Sequence, residues 1–171
     1  TGKAIKPAFA VSVDGVALTA GVDFDVDYAD NIEAGKATIT LTGKNNYTGT
    51  KTASFGILKD ISTNTNTVKI APIEAQEYAG DAVKPDIVVT DIYQDGTVYT
   101  LEASKDYTVD YADNNDIGTA TVTVTGKGYY KNSLTANFKI VQGDLGEDNT
   151  LVKAVLTNAN PNALRFTGSE I

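Results

Sequence analysis

Apolar side chains recur at every second position along most of this chain. Such a period of two is typical of β-strands that bury one face and expose the other, and no stretch shows a convincing helical period of 3.6. The pattern therefore predicts an all-β fold of antiparallel strands. The alternating segments are Phe9–Val13, Phe24–Tyr28, Ala37–Leu41, Ala53–Ile57, Ile87–Val89, Tyr107–Tyr111, Ala120–Val124 and Ala136–Ile140.

Turn-forming residues separate these segments. Gly, Asn and Asp tolerate the positive φ angles that tight hairpins require. Examples are Asp14-Gly15, Asn45-Asn46, Asp95-Gly96 and Asn114-Asn115. Short strands divided by such turns indicate a β-sandwich or a barrel. Two sheets packed face to face bury these apolar faces economically at this size, which favours the sandwich.

The chain repeats itself. Asp23–Asn31 (DFDVDYADN) returns 83 positions later as Asp106–Asn114 (DYTVDYADN). Gly35–Lys44 (GKATITLTGK) returns at the same spacing as Gly118–Lys127 (GTATVTVTGK). A long fixed period predicts one structural unit copied in tandem.

The repeat predicts where the units divide. Strand-like residues at Val68–Ile70 and Leu151–Leu156 suggest that each unit opens with such a segment. The units are then 1–58, lacking its opening strand, 59–141, complete, and 142–171, the opening segment of a third unit. On this interpretation the chain is a fragment cut inside the repeat.

An incomplete unit offers an open sheet edge, which favours pairing with another strand. We therefore expect residues 151–166 to exchange as a strand onto the first unit of another copy. Neighbouring repeats of the same chain are the other expected partners.

Composition excludes several function classes. The chain has 171 residues, a net charge of −8, a sequence pI near 4.4, and neither Cys nor His. Thiolate zinc sites and Ser-His-Asp or Cys-His catalysis are therefore impossible. An acidic chain repels phosphate backbones, and no apolar run is long enough to span a bilayer. We expect no nucleic acid partner, no membrane insertion and no enzyme activity.

Two acidic clusters are the sharpest candidates for a metal site. Carboxylates at this density could bind Ca²⁺, which takes six to eight oxygens. However, alternate residues on a strand lie ~6.6 Å apart, and the spacing does not fit an EF-hand loop. The favoured interpretation is a solvated strand face, with turn capping at Asp30-Asn31 and Asp113-Asn114, and no metal or cofactor is assigned. The clusters are Asp23, Asp25, Asp27 and Asp30, and Asp106, Asp110, Asp113 and Asp116.

Tyrosines are candidates for a binding surface. Tyr28 and Tyr111 fall on the inward face of their strands, so a core position is favoured for them. Tyr47 is a further member of the set. Tyr129 and Tyr130 follow Gly128 in a predicted loop and are better placed to contact a partner such as a glycan.

Two further expectations concern the interior. Phe55 and Phe138 should be buried at equivalent places in the two units. Lys69 and Lys139 face outward by alternation, and the other lysines lie near turns or strand ends. The sequence therefore argues against a Lys–Asn cross-link, because such a link needs a buried lysine.

Several motifs resemble a repeat of bacterial surface proteins. They are the strings TGKAIKP at Thr1–Pro7, DFxVxYxxN at Asp23–Asn31, AGxAT at Ala34–Thr38 and TGKxNYTG at Thr42–Gly49. The chain is similar to the Ig-like repeats of long Gram-positive surface proteins. This resemblance implies tandem Ig-like β-sandwich modules, outside the cell at the bacterial surface or cell wall. It implies a non-catalytic spacer or adhesion role. A carbohydrate- or host-protein-binding module, or an accessory domain of a surface enzyme, remains the alternative.

Overall fold

The computed structural model describes residues 2–62 and 67–143. The regular secondary structure in these residues consists of β-strands alone. The prediction of an all-β, sandwich-like fold is confirmed. The first part of the chain contains β1 (Ser12–Val13), β2 (Val16–Ala17), β3 (Phe24–Ala29), β4 (Gly35–Gly43) and β5 (Thr50–Ile57).

The described residues after β5 form nine strands. They are β6 (Lys59–Asp60), β7 (Val68–Ile70), β8 (Gln76–Glu77), β9 (Val89–Ile92), β10 (Val98–Thr100), β11 (Tyr107–Ala112), β12 (Gly118–Gly126), β13 (Tyr130–Lys131) and β14 (Ser133–Val141).

Two sheets of the second part enclose its main core. One sheet has the order β10-β9-β7 and the other the order β11-β12-β14-β8. Because side chains alternate along each strand, both sheets send apolar residues into the space between them. The buried cluster there consists of Ile61, Val68, Val89, Leu101, Tyr107, Val124 and Tyr130.

The two longest antiparallel meanders share one register. Phe24 lies opposite Gly43 in β3–β4, and Tyr107 lies opposite Gly126 in β11–β12. Both residues of the second pair are 83 positions beyond those of the first, which is the spacing of the sequence repeat. The division into units at 1–58, 59–141 and 142–171 stays a prediction.

Two short parallel pairings join early strands to late ones. In β6–β13, Lys59 lies opposite Tyr130, and in β8–β14, Gln76 lies opposite Ile140. The outer edge of β5 has no strand partner within residues 2–62 and 67–143. The predicted exchanging strand at 151–166 lies outside the described residues.

Apolar side chains in the first part of the chain are less buried than the alternating pattern predicts. The predicted strand at Phe9–Val13 forms only the two-residue β1, and Phe9 is 42% exposed. Phe138 is buried as predicted, but the prediction for Phe55 was wrong, since it is only half-buried. The two parts differ in sheet content: the described residues of the first part form one three-stranded sheet, β3-β4-β5, and a hairpin of two-residue strands, whereas those of the second part include sheets of three and of four strands.

This difference in burial predicts unequal costs of truncation. Phe138→Ala removes a fully packed ring and should lower the free energy of unfolding by about 3–5 kcal/mol. Phe55→Ala, the matched variant, should cost clearly less, because the side chain of Phe55 is already partly exposed. Urea unfolding of both variants measures the difference. Equal losses would contradict the unequal burial of the two rings.

Candidate functional site

The centre of the candidate site is the carboxylate of Asp91, which is fully buried in β9. Its Oδ1 lies 2.5 Å from the Nζ of Lys59. The same oxygen accepts a hydrogen bond of 2.5 Å from Thr67 Oγ1. Oδ2 accepts a bond of 3.2 Å from the hydroxyl of Tyr130. Three donors from three separate segments therefore converge on one carboxylate.

Local structure places Asp91 there. In β9 the side chain of Asp91 lies on the same face as that of Val89, two residues earlier, and both are completely buried. Thr90 between them is less buried, as the alternation of a strand requires. The aspartate thus occupies a position that the strand pattern reserves for an apolar residue.

Backbone pairing brings Lys59 to the carboxylate. The amide of Lys59 donates to the carbonyl of Tyr129 at 2.8 Å, and the amide of Ile61 donates to that of Lys131 at 3.0 Å. These bonds fix β6 beside β13, and the lysine side chain is only 17% exposed. Both the lysine and the tyrosine that contact Asp91 are therefore positioned by the same parallel pairing.

Glu33, in the loop between β3 and β4, completes the charged group. Its Oε2 lies 3.8 Å from Lys59 Nζ, and its Oε1 accepts a hydrogen bond of 2.8 Å from the amide of Gln94. A cleft of about 560 Å³ beside it is lined by residues 30–36 and Tyr93. Glu33, which precedes β4, therefore lies close to Lys59 in β6 and to Gln94 after β9.

Apolar contacts also join the first part of the chain, which ends with β5, to the second part, and we call this region the junction. Ala34 packs against the main core of the second part. The ring of Tyr129 lies beside Gly56, where a Cβ atom would come within 3.3 Å of Tyr129 Cε1. A side chain at residue 56 would press on that ring, so glycine permits the close approach.

The energetics of the group follow from burial. Moving a carboxylate out of water costs several kcal/mol, which only close and well hydrogen-bonded partners offset. Within the described residues no buried side-chain nitrogen or oxygen lacks a hydrogen-bond partner. The group is thus fully satisfied, but losing Lys59 would leave the buried carboxylate of Asp91 without a counter-charge.

The same burial acts on nearby phenols. Burial, followed by the charge of Asp91, raises the pKa of Tyr130 far above its ordinary value. Burial and then Asp91 also raise the pKa of Tyr93, whose ring stacks on Tyr99 with centroids 5.8 Å apart. Both phenols are therefore held in the neutral form beside a carboxylate.

The predicted acidic clusters do not converge. Asp23 and Asp106 accept hydrogen bonds from the amides of Thr19 and Glu102 and so close equivalent loops. Asp106 is buried, which departs from the expected solvated face. Among the described residues no group of three acidic side chains is placed to hold a metal ion. The remaining members, Asp25, Asp27, Asp30, Asp110, Asp113 and Asp116, are exposed.

Asn31 and Asn114 do more than the predicted turn capping. The amide of Asn31 donates to the carbonyl of Ile5 at 2.9 Å, and that of Asn114 donates to Val83 at 2.9 Å. In return, the backbone carbonyl of Asn31 accepts a hydrogen bond from the amide of Ile5, and that of Asn114 accepts one from the amide of Val83. The asparagines therefore hold the preceding segment against the meander.

The tyrosine hypothesis is wrong for one residue. Tyr130, expected on the surface, is only 5% exposed and bonds to Asp91, whereas Tyr129 is 38% exposed. Tyr28 and Tyr111 are half-buried. Tyr111 meets the edge of the Phe138 ring and donates to the carbonyl of Pro85.

Sequence reasoning missed Lys59, Asp91 and Glu33. Lys59 does lie at a strand end, as expected of the lysines, but the inference that such a lysine is exposed was wrong. One available signal was the position of Asp91, two residues after the inward-facing Val89. Nothing in the local pattern indicates Glu33, because its partners are far away in sequence.

Comparison with protein-family models, curated proteins and solved structures gives no match for this chain. No helix in the described residues is long and apolar enough to cross a membrane.

The ion pair predicts strong coupling between its members. Lys59→Met alone should cost about 3–5 kcal/mol, because it leaves the carboxylate of Asp91 buried and unpaired. Asp91→Leu alone should cost less, because Lys59 is partly exposed and keeps Glu33 at 3.8 Å. The double variant should cost much less than the sum of the two, since an apolar pair fits an apolar core. Denaturant unfolding of all four proteins gives this coupling free energy. Additive losses would show that the two charges do not interact.

The raised pKa of Tyr130 predicts that the protein loses stability at alkaline pH. Because its pKa is raised on folding, the folded state keeps the phenol proton above pH ~10, whereas the unfolded state releases it. The unfolded state then binds fewer protons, so the free energy of unfolding falls as pH rises, by roughly 1.4 kcal/mol per pH unit for this one group.

The control for this prediction is Tyr130→Phe, which has no proton to release at this position. Unfolding measured from pH 8 to 11 should show a shallower decline in the variant than in the wild type. Parallel curves for the two proteins would mean that Tyr130 titrates alike in both states.

Proposed function

We propose that this chain is a non-catalytic spacer or adhesion repeat of a bacterial cell-surface protein, built from tandem Ig-like modules outside the cell. The observation that carries the proposal is the parallel pairing of early strands with late ones. β6 runs parallel to β13, and β8 runs parallel to β14. Such pairing suits a module that must transmit tension from one end to the other.

The mechanical argument follows from strand direction. Tension pulls the early strand toward its N-terminal side and the late strand toward its C-terminal side. In a parallel pair these pulls act in opposite directions along the strands, so the bonds between them are loaded together in shear. In an antiparallel pair pulled at adjacent ends, the hydrogen bonds break one after another.

The junction supports the same role. The contacts of Glu33 with Lys59 and with Gln94 join the loop before β4 to the segments that follow β5. Tyr129 packs beside Gly56 at the same boundary. These contacts resist bending between consecutive parts of the chain, as a spacer that holds another domain at a distance requires.

The binding alternative has less support. Burial of Tyr130 leaves Tyr129 alone of the two loop tyrosines with an exposed ring, and that ring also packs beside Gly56. A single half-exposed tyrosine is a small platform for stacking on a sugar. A glycan or a host protein is therefore the second hypothesis for this surface.

Force spectroscopy tests the spacer proposal. The chain has no Cys, so introduced cysteines give unique attachment points for handles. Leu58→Cys with Val141→Cys applies tension end to end at two exposed positions. Lys105→Cys with Lys127→Cys is the matched control, because these exposed residues flank adjacent ends of the antiparallel pair β11–β12.

We expect the end-to-end pair to unfold at a clearly higher force than the control pair. An end-to-end force equal to or below that of the control would contradict the spacer role. A glycan array read with wild type and Tyr129→Ala addresses the alternative. Signals that the variant loses would favour a binding module instead.

A further inference from the structure

The contact between Lys59 and Asp91 has the composition of a reacting pair. A primary amine lies 2.5 Å from an oxygen of a carboxyl group in a site that excludes water on the carboxyl side. A second carboxylate, Glu33, lies 3.8 Å from the same nitrogen. The strands on both sides hold these groups in place, so their encounter costs no further ordering.

We propose that Lys59 and Asp91 condense spontaneously into an isopeptide bond that cross-links β6 to β9. The bond Nζ–Cγ forms and the bond between Cγ and Oδ1 of Asp91 breaks. One molecule of water leaves, containing Oδ1 and two hydrogens from the lysine ammonium group. The product is a neutral amide, and neither an oxidant nor any other co-reactant is needed.

The neighbours of the carboxyl group match the steps of this condensation. A proton first passes from the ammonium to the carboxylate, which makes the amine nucleophilic and the carboxyl group electrophilic. The hydroxyl of Tyr130 donates to Oδ2, where negative charge develops when nitrogen attacks Cγ. The hydroxyl of Thr67 donates to Oδ1, the oxygen that departs as water.

Glu33 is positioned to carry a proton. During the attack the nitrogen must lose a further proton, and the departing oxygen must gain one. Glu33 Oε2 lies 3.8 Å from Nζ, so a small approach of its side chain would let it accept this proton and pass it to Oδ1. The carboxylate of Glu33 is restored at the end.

Two physical effects favour the bond in this site. Holding amine and carboxyl together replaces an encounter in solution, and effective concentrations of about 10⁵–10⁸ M are known for well-oriented groups. Burial penalises the two charges of the ion pair, whereas the amide carries none. Release of water to the solvent further favours the product.

Intact-mass spectrometry of the full chain under denaturing conditions tests the proposal. The wild-type protein should be lighter than its sequence by one water molecule. Trypsin should fail to cleave after Lys59, and a branched peptide should join the segments that contain Lys59 and Asp91. A wild-type mass equal to that of the sequence, after prolonged incubation of the folded protein, would overturn the proposal.

Matched variants separate the cross-link from other losses of water. Lys59→Arg keeps the positive charge but has no reactive amine, so its mass should equal that of its sequence. Asp91→Asn should lose ammonia in place of water, because the departing group is then the amide nitrogen. Retention of the water loss in Lys59→Arg, or a branched peptide elsewhere, would overturn the proposal.

Glu33→Gln tests the assigned proton carrier. This variant keeps the size of the side chain but cannot accept the proton, so a large fraction of the purified protein should retain the uncondensed mass. Complete condensation, as fast as in wild type, would exclude Glu33 from the reaction. Both outcomes are independent of whether the chain acts as a spacer.

Discussion

The burial of one carboxylate constrains much of this structure. Asp91 lies on the inward face of β9, in the core between two sheets, where an unpaired charge would be prohibitively costly. Its donors come from Lys59, Thr67 and Tyr130, which belong to three different segments. The chain can satisfy Asp91 only by closing β6 against β13 and β7 against β9.

This constraint also determines how the first part meets the second. Lys59 directly follows the exposed Leu58, at the point where the chain leaves β5 and enters the later strands. Its Nζ lies 2.5 Å from an oxygen of Asp91 and 3.8 Å from an oxygen of Glu33. One side chain thus lies close to a residue of each part, Glu33 in the first and Asp91 in the second.

The regular strands could be predicted from the sequence because their cause is local. Alternation at Phe24–Tyr28 and Tyr107–Tyr111 corresponds to β3 and β11, which pair in the same register. Turn residues were found for the same reason: Asp14 and Asn45 take positive φ angles, as hairpins require. Local rules of this kind describe each strand well but not which strands cover each other.

The site could not be predicted because its causes are distant in sequence. Tyr130 follows Gly128 and reads as a loop residue, and only the parallel pairing with Lys59 buries it. Phe55 is a second example: it occupies the same place in the alternating pattern as Phe138, yet it is less buried. Asp91 had a local signal in the spacing from Val89, yet a polar residue in an apolar position is normally taken as the end of a strand.

Residue-resolved hydrogen exchange of wild type and Asp91→Ala tests the central role of this carboxylate most directly. If Asp91 organises the closure of β6, its loss should sharply reduce protection of the Lys59 and Ile61 amides, which bond to Tyr129 and Lys131. Protection in the middle of β12, which is paired on both sides, should fall much less. Amides of Lys59 and Ile61 that stay as protected in the variant as in wild type would contradict the account.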